Sequence, residues 1–166
     1  MNRPTPKSGK ATTSPVFELE RFLPYRLSLL TNTVSQGIAH SYRQKYDISI
    51  TEWRILAVLG RFPGLAAQEV AERTAMDKVA VSRAVKTLVE KSLLQRITDP
   101  ADRRRMTLHI TPGKGRHVLQ KVIPLAQEYE KQLLGTLTPG EQSALFSAIK
   151  KLQAKAISLA FQNDTK

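Results

Sequence analysis

Cysteine is absent from this chain of 166 residues, which excludes disulfide frameworks, thiolate zinc sites, iron–sulfur ligation and thiol redox sensing together. Long apolar runs are absent as well. The longest mostly apolar stretches, Ile55–Gly60 and Ile157–Phe161, fall far short of the ~20 residues a membrane span requires. The first twenty residues lack the apolar core of a secretory signal, so a soluble, cytoplasmic protein with no membrane partner is expected. His40, His109 and His117 occur singly, without an H-E-x-x-H spacing, and no metal or cofactor site is expected. Neither G-x-S-x-G nor a phosphate-binding G-x-x-x-x-G-K-[ST] run is present, and Gly113-Lys114-Gly115 resembles the latter only superficially. The expectation is a protein that is not an enzyme.

Acidic residues are scarce, 14 against 26 Lys and Arg, for a net charge of +12. Such a balance attracts polyanions. The excess is concentrated: residues 78–116 hold ten basic and three acidic side chains, a local charge of 10 − 3 = +7. With 41% hydrophobic residues the chain can bury a core, and its length suits one globular unit with a short tail. Residues 1–15 are rich in Pro, Ser, Thr and basic residues. They read as a disordered basic tail.

The apolar periodicity then organises the rest. Leu23, Leu27, Leu30, Val34, Ile38 and Tyr42 recur at spacings of three and four, one stripe of a long helix with Pro24 near its start. A second helix is expected from Thr51, capped by its hydroxyl, to a stop at Gly60 and Phe62-Pro63-Gly64. Ala66–Arg73 and Lys78–Lys91 read as two short helices joined by a tight turn, the second capped by Asp77, which is a helix-turn-helix pattern. The period changes at Leu94–Thr98 and Met106–Ile110, two short strands around a cationic turn. Thr111-Pro112 opens another helix, kinked at Pro124 and ended by Gly135. The capping box Thr138-Pro139-Gly140-Glu141 opens the last helix, with Leu145, Ile149, Leu152, Ala156 and Leu159 as its stripe. The fold class is mainly α with a small β-hairpin wing: a winged helix-turn-helix over residues 47–111, and helices over 16–46 and 112–162 for dimerisation. Those long helices exceed what a winged unit needs for cover, which suggests an intertwined homodimer, with a compact monomer as the alternative arrangement.

A recognition helix needs short side chains where it enters the major groove and Arg or Lys to reach guanine edges or phosphates. The helix from Lys78 has that distribution. Val79 and Ala80 lie near its N-terminal end, Lys78 shares the polar face as a DNA-binding candidate, Arg83 is the candidate base reader, and Ser82 and Lys86 are candidate phosphate contacts. At the wing tip, Arg103, Arg104 and Arg105 present guanidinium groups suited to a narrow minor groove. Asp102, two residues before Arg104, is expected to hold that guanidinium outward.

The run Asp99-Pro-Ala-Asp-Arg-Arg-Arg-Met-Thr-Leu-His-Ile-Thr-Pro-Gly strongly resembles the wing of the MarR family, the multiple antibiotic resistance regulators. Thr51-Glu-Trp-Arg-Ile-Leu, Ala67-Gln-Glu-Val-Ala and Val81-Ser-Arg-Ala-Val-Lys-Thr-Leu-Val-Glu-Lys-Ser-Leu-Leu add to the likeness, which extends over about residues 18–162. The resemblance implies a homodimeric repressor whose first and last helices form the dimer interface. It also implies that Asp102 and Arg104 match the family's wing motif, with the Arg in the minor groove. Members usually bind pseudo-palindromic operators in double-stranded DNA and release them when a small, often aromatic and acidic, ligand binds between dimer helices and winged lobe. That draws attention to Arg26, His40, Arg43 and Trp53 as ligand-binding residues. The segment Phe22-Leu-Pro-Tyr-Arg-Leu-Ser-Leu-Leu-Thr-Asn is similar to members that sense aromatic acids or their acyl-CoA thioesters. Two other readings stay open: an effector-independent architectural DNA-binding protein, and a winged-helix module whose basic face binds an acidic protein.

Overall fold

The computed structural model describes residues 17–163; the basic tail expected over 1–15 lies outside them. A 3-10 turn at Leu19–Arg21 precedes α1 (Leu23–Tyr46). The order continues α2 (Ile50–Arg61), α3 (Ala67–Thr74), α4 (Lys78–Glu90), β1 (Leu94–Thr98), β2 (Met106–Ile110), α5 (Lys114–Leu134) and α6 (Pro139–Asn163). This is the mainly helical, winged architecture expected from the periodicity. By packing, the chain divides into two units at Ser35 and Gln36.

In the N-terminal unit the rings of Phe17 and Phe22 meet edge to face at 5.2 Å. The early turns of α1 leave Leu23, Leu27, Leu29 and Leu30 about half exposed. The second unit holds the core. Ile55, Leu56 and Leu59 of α2, Val70 and Ala71 of α3, and Val81, Val85 and Leu88 of α4 are buried together with Leu94, Leu108, Val118 and Val122. The hairpin pairs Leu94 with Ile110 through Thr98 with Met106, antiparallel throughout. The sheet has the two expected strands, and outside them Leu65 forms an isolated antiparallel bridge with Leu108, its carbonyl accepting the Leu108 N–H at 2.9 Å. This bridge ties the base of the wing to the start of α3.

Helix ends differ from expectation where capping chemistry decides them. Ser49, not Thr51, caps α2: its hydroxyl accepts the Glu52 N–H at 3.1 Å while the Glu52 carboxylate accepts the Ser49 N–H at 2.6 Å. That reciprocal pair satisfies two otherwise orphaned donors, which a hydroxyl inside the first turn cannot do. Gly60 lies within α2, and the helix ends at Arg61. α5 starts at Lys114 rather than Pro112. The Thr111 hydroxyl nevertheless serves the helix start, accepting the Gly115 N–H at 2.9 Å and donating to the Ser92 carbonyl at 2.8 Å. Gly115 is required there, because a Cβ would sit 2.1 Å from the Leu93 carbonyl oxygen. α5 runs through Pro124. The Thr138–Glu141 capping box forms as expected. None of the residues of α6 whose burial is described is buried: the expected inner stripe residues Leu145, Ile149, Leu152 and Leu159 are 39–47% exposed.

Candidate nucleic-acid interface

Asp77 caps α4, its Oδ1 accepting the Ala80 N–H at 2.9 Å, a contact worth ~1 kcal/mol. Val81, Ala84, Val85 and Leu88 face inward, and this buried stripe turns Lys78, Val79, Ala80, Ser82, Arg83 and Lys86 to the surface, where all are exposed. Val79 is 56% exposed. An apolar side chain so open at the head of a cationic helix suits contact with a thymine methyl. Lys86 approaches Glu90 at 3.9 Å on the open surface, a pair too solvated to hold it back from a phosphate.

Both helices of the helix-turn-helix end with a residue in the left-handed region. Ala75 has φ 51° and Ser92 φ 59°, and each is followed by an N–H that reaches back five residues, Met76 to Ala71 and Leu93 to Leu88. This closure satisfies the last carbonyls and turns the chain sharply from α3 to α4 and from α4 to β1.

At the far end of α4, Lys91 meets the α1–α2 junction. Its Nζ lies 3.3 Å from Oε1 of the buried Glu52 and 3.3 Å from Oδ2 of Asp47, and it donates to the Asp47 carbonyl. The Lys91 carbonyl in turn accepts from Lys114 Nζ at 2.9 Å. The recognition helix is thus held at its C-terminal end by charge as well as by packing. Sequence reasoning missed this network; only the Ser49-x-x-Glu52 capping signature hinted at a structural role for Glu52.

The wing loop is ordered by its own acids. Asp99 accepts the Ala101 N–H at 2.9 Å and Asp102 accepts the Arg104 N–H at 3.0 Å. Asp102 therefore acts on Arg104 through the backbone, not through the guanidinium as expected, because a short carboxylate reaches the N–H two residues on more readily than a long side chain. Arg105 sits apart from Arg103 and Arg104. It is ion-paired with Glu69 of α3 at 2.6 Å and with Asp99 at 3.4 Å. The Glu69 carboxyl is held below its ordinary range, first by the Ala66 N–H and then by Arg105.

Of the four candidate ligand residues, Arg26, His40 and Arg43 lie on α1 and Trp53 on α2. Trp53 packs against Tyr42, ring centroids 5.9 Å apart, and lines the core. Burial pushes the Tyr42 hydroxyl above its ordinary range, against the nearby Arg43 and Arg54. Arg43 borders an open cleft of about 550 Å³ that also includes Thr51, Ala80, Arg83 and Thr87. His40 is exposed on α1. Arg26, within the N-terminal unit, lines an open groove of about 630 Å³ with Arg21, Leu23, Leu27 and Leu30. Among the described residues no group of His, Asp or Glu is arranged to hold a metal ion, and no helix is long and apolar enough to cross a membrane.

A capped recognition helix with an open cationic face, followed by a basic hairpin, defines a winged helix-turn-helix DNA-binding protein. The chain belongs to the MarR family and is a DNA-binding transcriptional regulator of that type, in a family of regulators rather than enzymes. The family model matches residues 46–105. The transcriptional repressor NicR of Pseudomonas putida is 30% identical over 75% of this chain and 79% of its own length. A Thauera aromatica protein named "Putative transcriptional regulatory protein for hcr operon" is 31% identical over 59% of this chain, and the match spans 58% of that protein. Among solved structures, a MarR/EmrR family regulator from Acinetobacter sp. ADP1 matches with a TM-score of 0.78 at 31% identity, covering 86% of this chain and 99% of that one. BpsR of Bordetella bronchiseptica, whose DNA binding is regulated by 6-hydroxynicotinic acid, shares the fold with a TM-score of 0.72 at 21% identity, covering 82% and 96%.

Proposed function

We propose that this regulator acts as a homodimer on a pseudo-palindromic operator, and that a small aromatic acid or its acyl thioester releases it. The observation that carries the reading is α6, a helix of 25 residues whose Leu145, Phe146, Ile149, Leu152, Ile157 and Leu159 all stand 39–53% exposed. A folded chain rarely leaves so continuous an apolar surface to water, and a second copy of the same helix is its simplest cover. Residues 16–46 and 112–162 then serve dimerisation and 47–111 serve DNA. Two recognition helices held about one helical turn apart, ~34 Å, would read two half-sites in successive major grooves.

Arg83 is the base reader in this scheme, Ser82 and Lys86 contact phosphate beside Lys78, and Arg104 enters the minor groove. Release requires a ligand that binds the non-operator arrangement more tightly than the operator-bound one. An aromatic acid fits a site built from Arg and aromatic groups, with Arg26, His40, Arg43 and Trp53 as the candidates. The acid-regulated BpsR supports that ligand class. Sedimentation equilibrium together with duplex-shift titrations against a panel of aromatic acids and thioesters tests the proposal. Dimers whose complex dissociates with one of these compounds are expected. A complex that no member of the panel weakens would favour an effector-independent architectural role, and equal binding to all duplexes would remove operator recognition.

A further inference from the structure

The guanidinium of Arg105 lies at the root of the wing loop, between two carboxylates. Nη2 is 2.6 Å from Oε2 of Glu69 and Nη1 is 3.4 Å from Oδ2 of Asp99. Its own backbone closes the loop: the Arg105 carbonyl accepts the Asp99 N–H, and the Arg105 N–H donates to the Asp102 carbonyl, both at 2.9 Å. Glu69 is itself anchored, because the same Oε2 accepts the Ala66 N–H at 2.7 Å as the N-terminal cap of α3. One carboxylate oxygen thus secures both the start of α3 and the base of the wing. Arg103 and Arg104, at the exposed tip, have no ion pair among the described residues.

We infer that Arg105 is a positioning residue: it ties the wing to α3 through Glu69, sets the reach of Arg103 and Arg104, and does not itself contact DNA. The inference rests on the DNA-binding assignment of the family. A guanidinium already matched by two carboxylates gains little from a phosphate. Withdrawing it would leave Glu69 and Asp99 uncompensated beside a polyanion, where like charges repel. Arg105 therefore also masks acidic groups that would oppose DNA at the wing.

The test compares Arg105→Gln, Glu69→Gln and the double variant, using the duplex that the wild-type protein selects from a random-sequence pool, over a KCl series. Gln at 69 keeps an oxygen for the Ala66 N–H, so α3 stays capped, and the melting temperature verifies folding. Each single variant is expected to bind about two- to fivefold more weakly, with the double variant no worse than either. The slope of log affinity against log salt is expected to stay unchanged. Hydroxyl-radical protection should fade in the minor groove under the wing and persist under α4. A slope reduced by ~0.9 in Arg105→Gln, the signature of a lost phosphate contact, would overturn the inference. Tighter binding by Glu69→Gln, or additive losses in the double variant, would do the same. Failure of the wild-type protein to select any duplex would overturn it together with the DNA-binding reading beneath it.

Discussion

At the scale of single residues, geometry separates cations that look alike in sequence. Arg83 and Lys86 both stand exposed on α4, yet a fork-shaped guanidinium reads a guanine edge where a solvated ammonium meets phosphate as a point charge. Arg83→Ala is expected to lower affinity for the preferred duplex by ~1–3 kcal/mol and to flatten preference among sequences. Lys86→Ala should weaken preferred and random duplexes alike and reduce the salt slope by about one; fluorescence anisotropy on both duplexes distinguishes the two. Lys91, five residues beyond Lys86 in the same basic run, has a structural task instead. Lys91→Met strands the Glu52 carboxylate, which is only 4% exposed, and is expected to cost ~2–4 kcal/mol in urea unfolding. Arg105 belongs with Lys91 in this respect. The tasks of Lys91 and Arg105 were not legible in the spacing of charges, since their partners Glu52 and Glu69 lie 39 and 36 residues away along the chain.

At the scale of elements, local chemistry explains most boundaries. The alternation in Leu94–Thr98 and Met106–Ile110 appears as the two strands with the expected limits, and Asp77 and Thr138 cap where their side chains are placed to do so. α2 is capped at Ser49 and not at the expected Thr51, because Ser49-x-x-Glu52 carries the reciprocal capping signature. Ser49→Ala is expected to destabilise the protein by ~1 kcal/mol, measured by urea unfolding. Two capping carboxylates also give stability a pH dependence. Glu69 is lowered by the Ala66 N–H and Arg105, and Glu141 by the Thr138 N–H and hydroxyl. With folded values below the unfolded value near 4.5, their contribution is complete above that pH and disappears as pH falls through the lower folded values. Urea midpoints of Glu69→Gln and Glu141→Gln should lie below wild type at neutral pH and converge on it in acid.

At the scale of the whole molecule, α6 presents an open apolar stripe, for which a second copy is the proposed cover. Its stripe reads in sequence like that of any amphipathic helix, but its residues remain open, whereas the comparable Val118 and Val122 of α5 are buried. Paired substitution Leu145→Glu with Leu152→Glu places charge on the proposed interface. It is expected to shift the protein to monomers in sedimentation and to weaken operator binding far more than any single charge change on α4, because half-sites would then be bound one at a time.

The sequence by itself determined the helices, the hairpin, the turn between α3 and α4 and the basic character of the DNA-facing surface, because periodicity, caps and turn residues act within a few positions of one another. Tertiary structure decided which cations are free and which are held, the bridge from Leu65 to Leu108, and which apolar stripes are covered. Those outcomes depend on groups brought together across tens of residues, where Coulomb attraction and burial follow distance in space rather than distance along the chain.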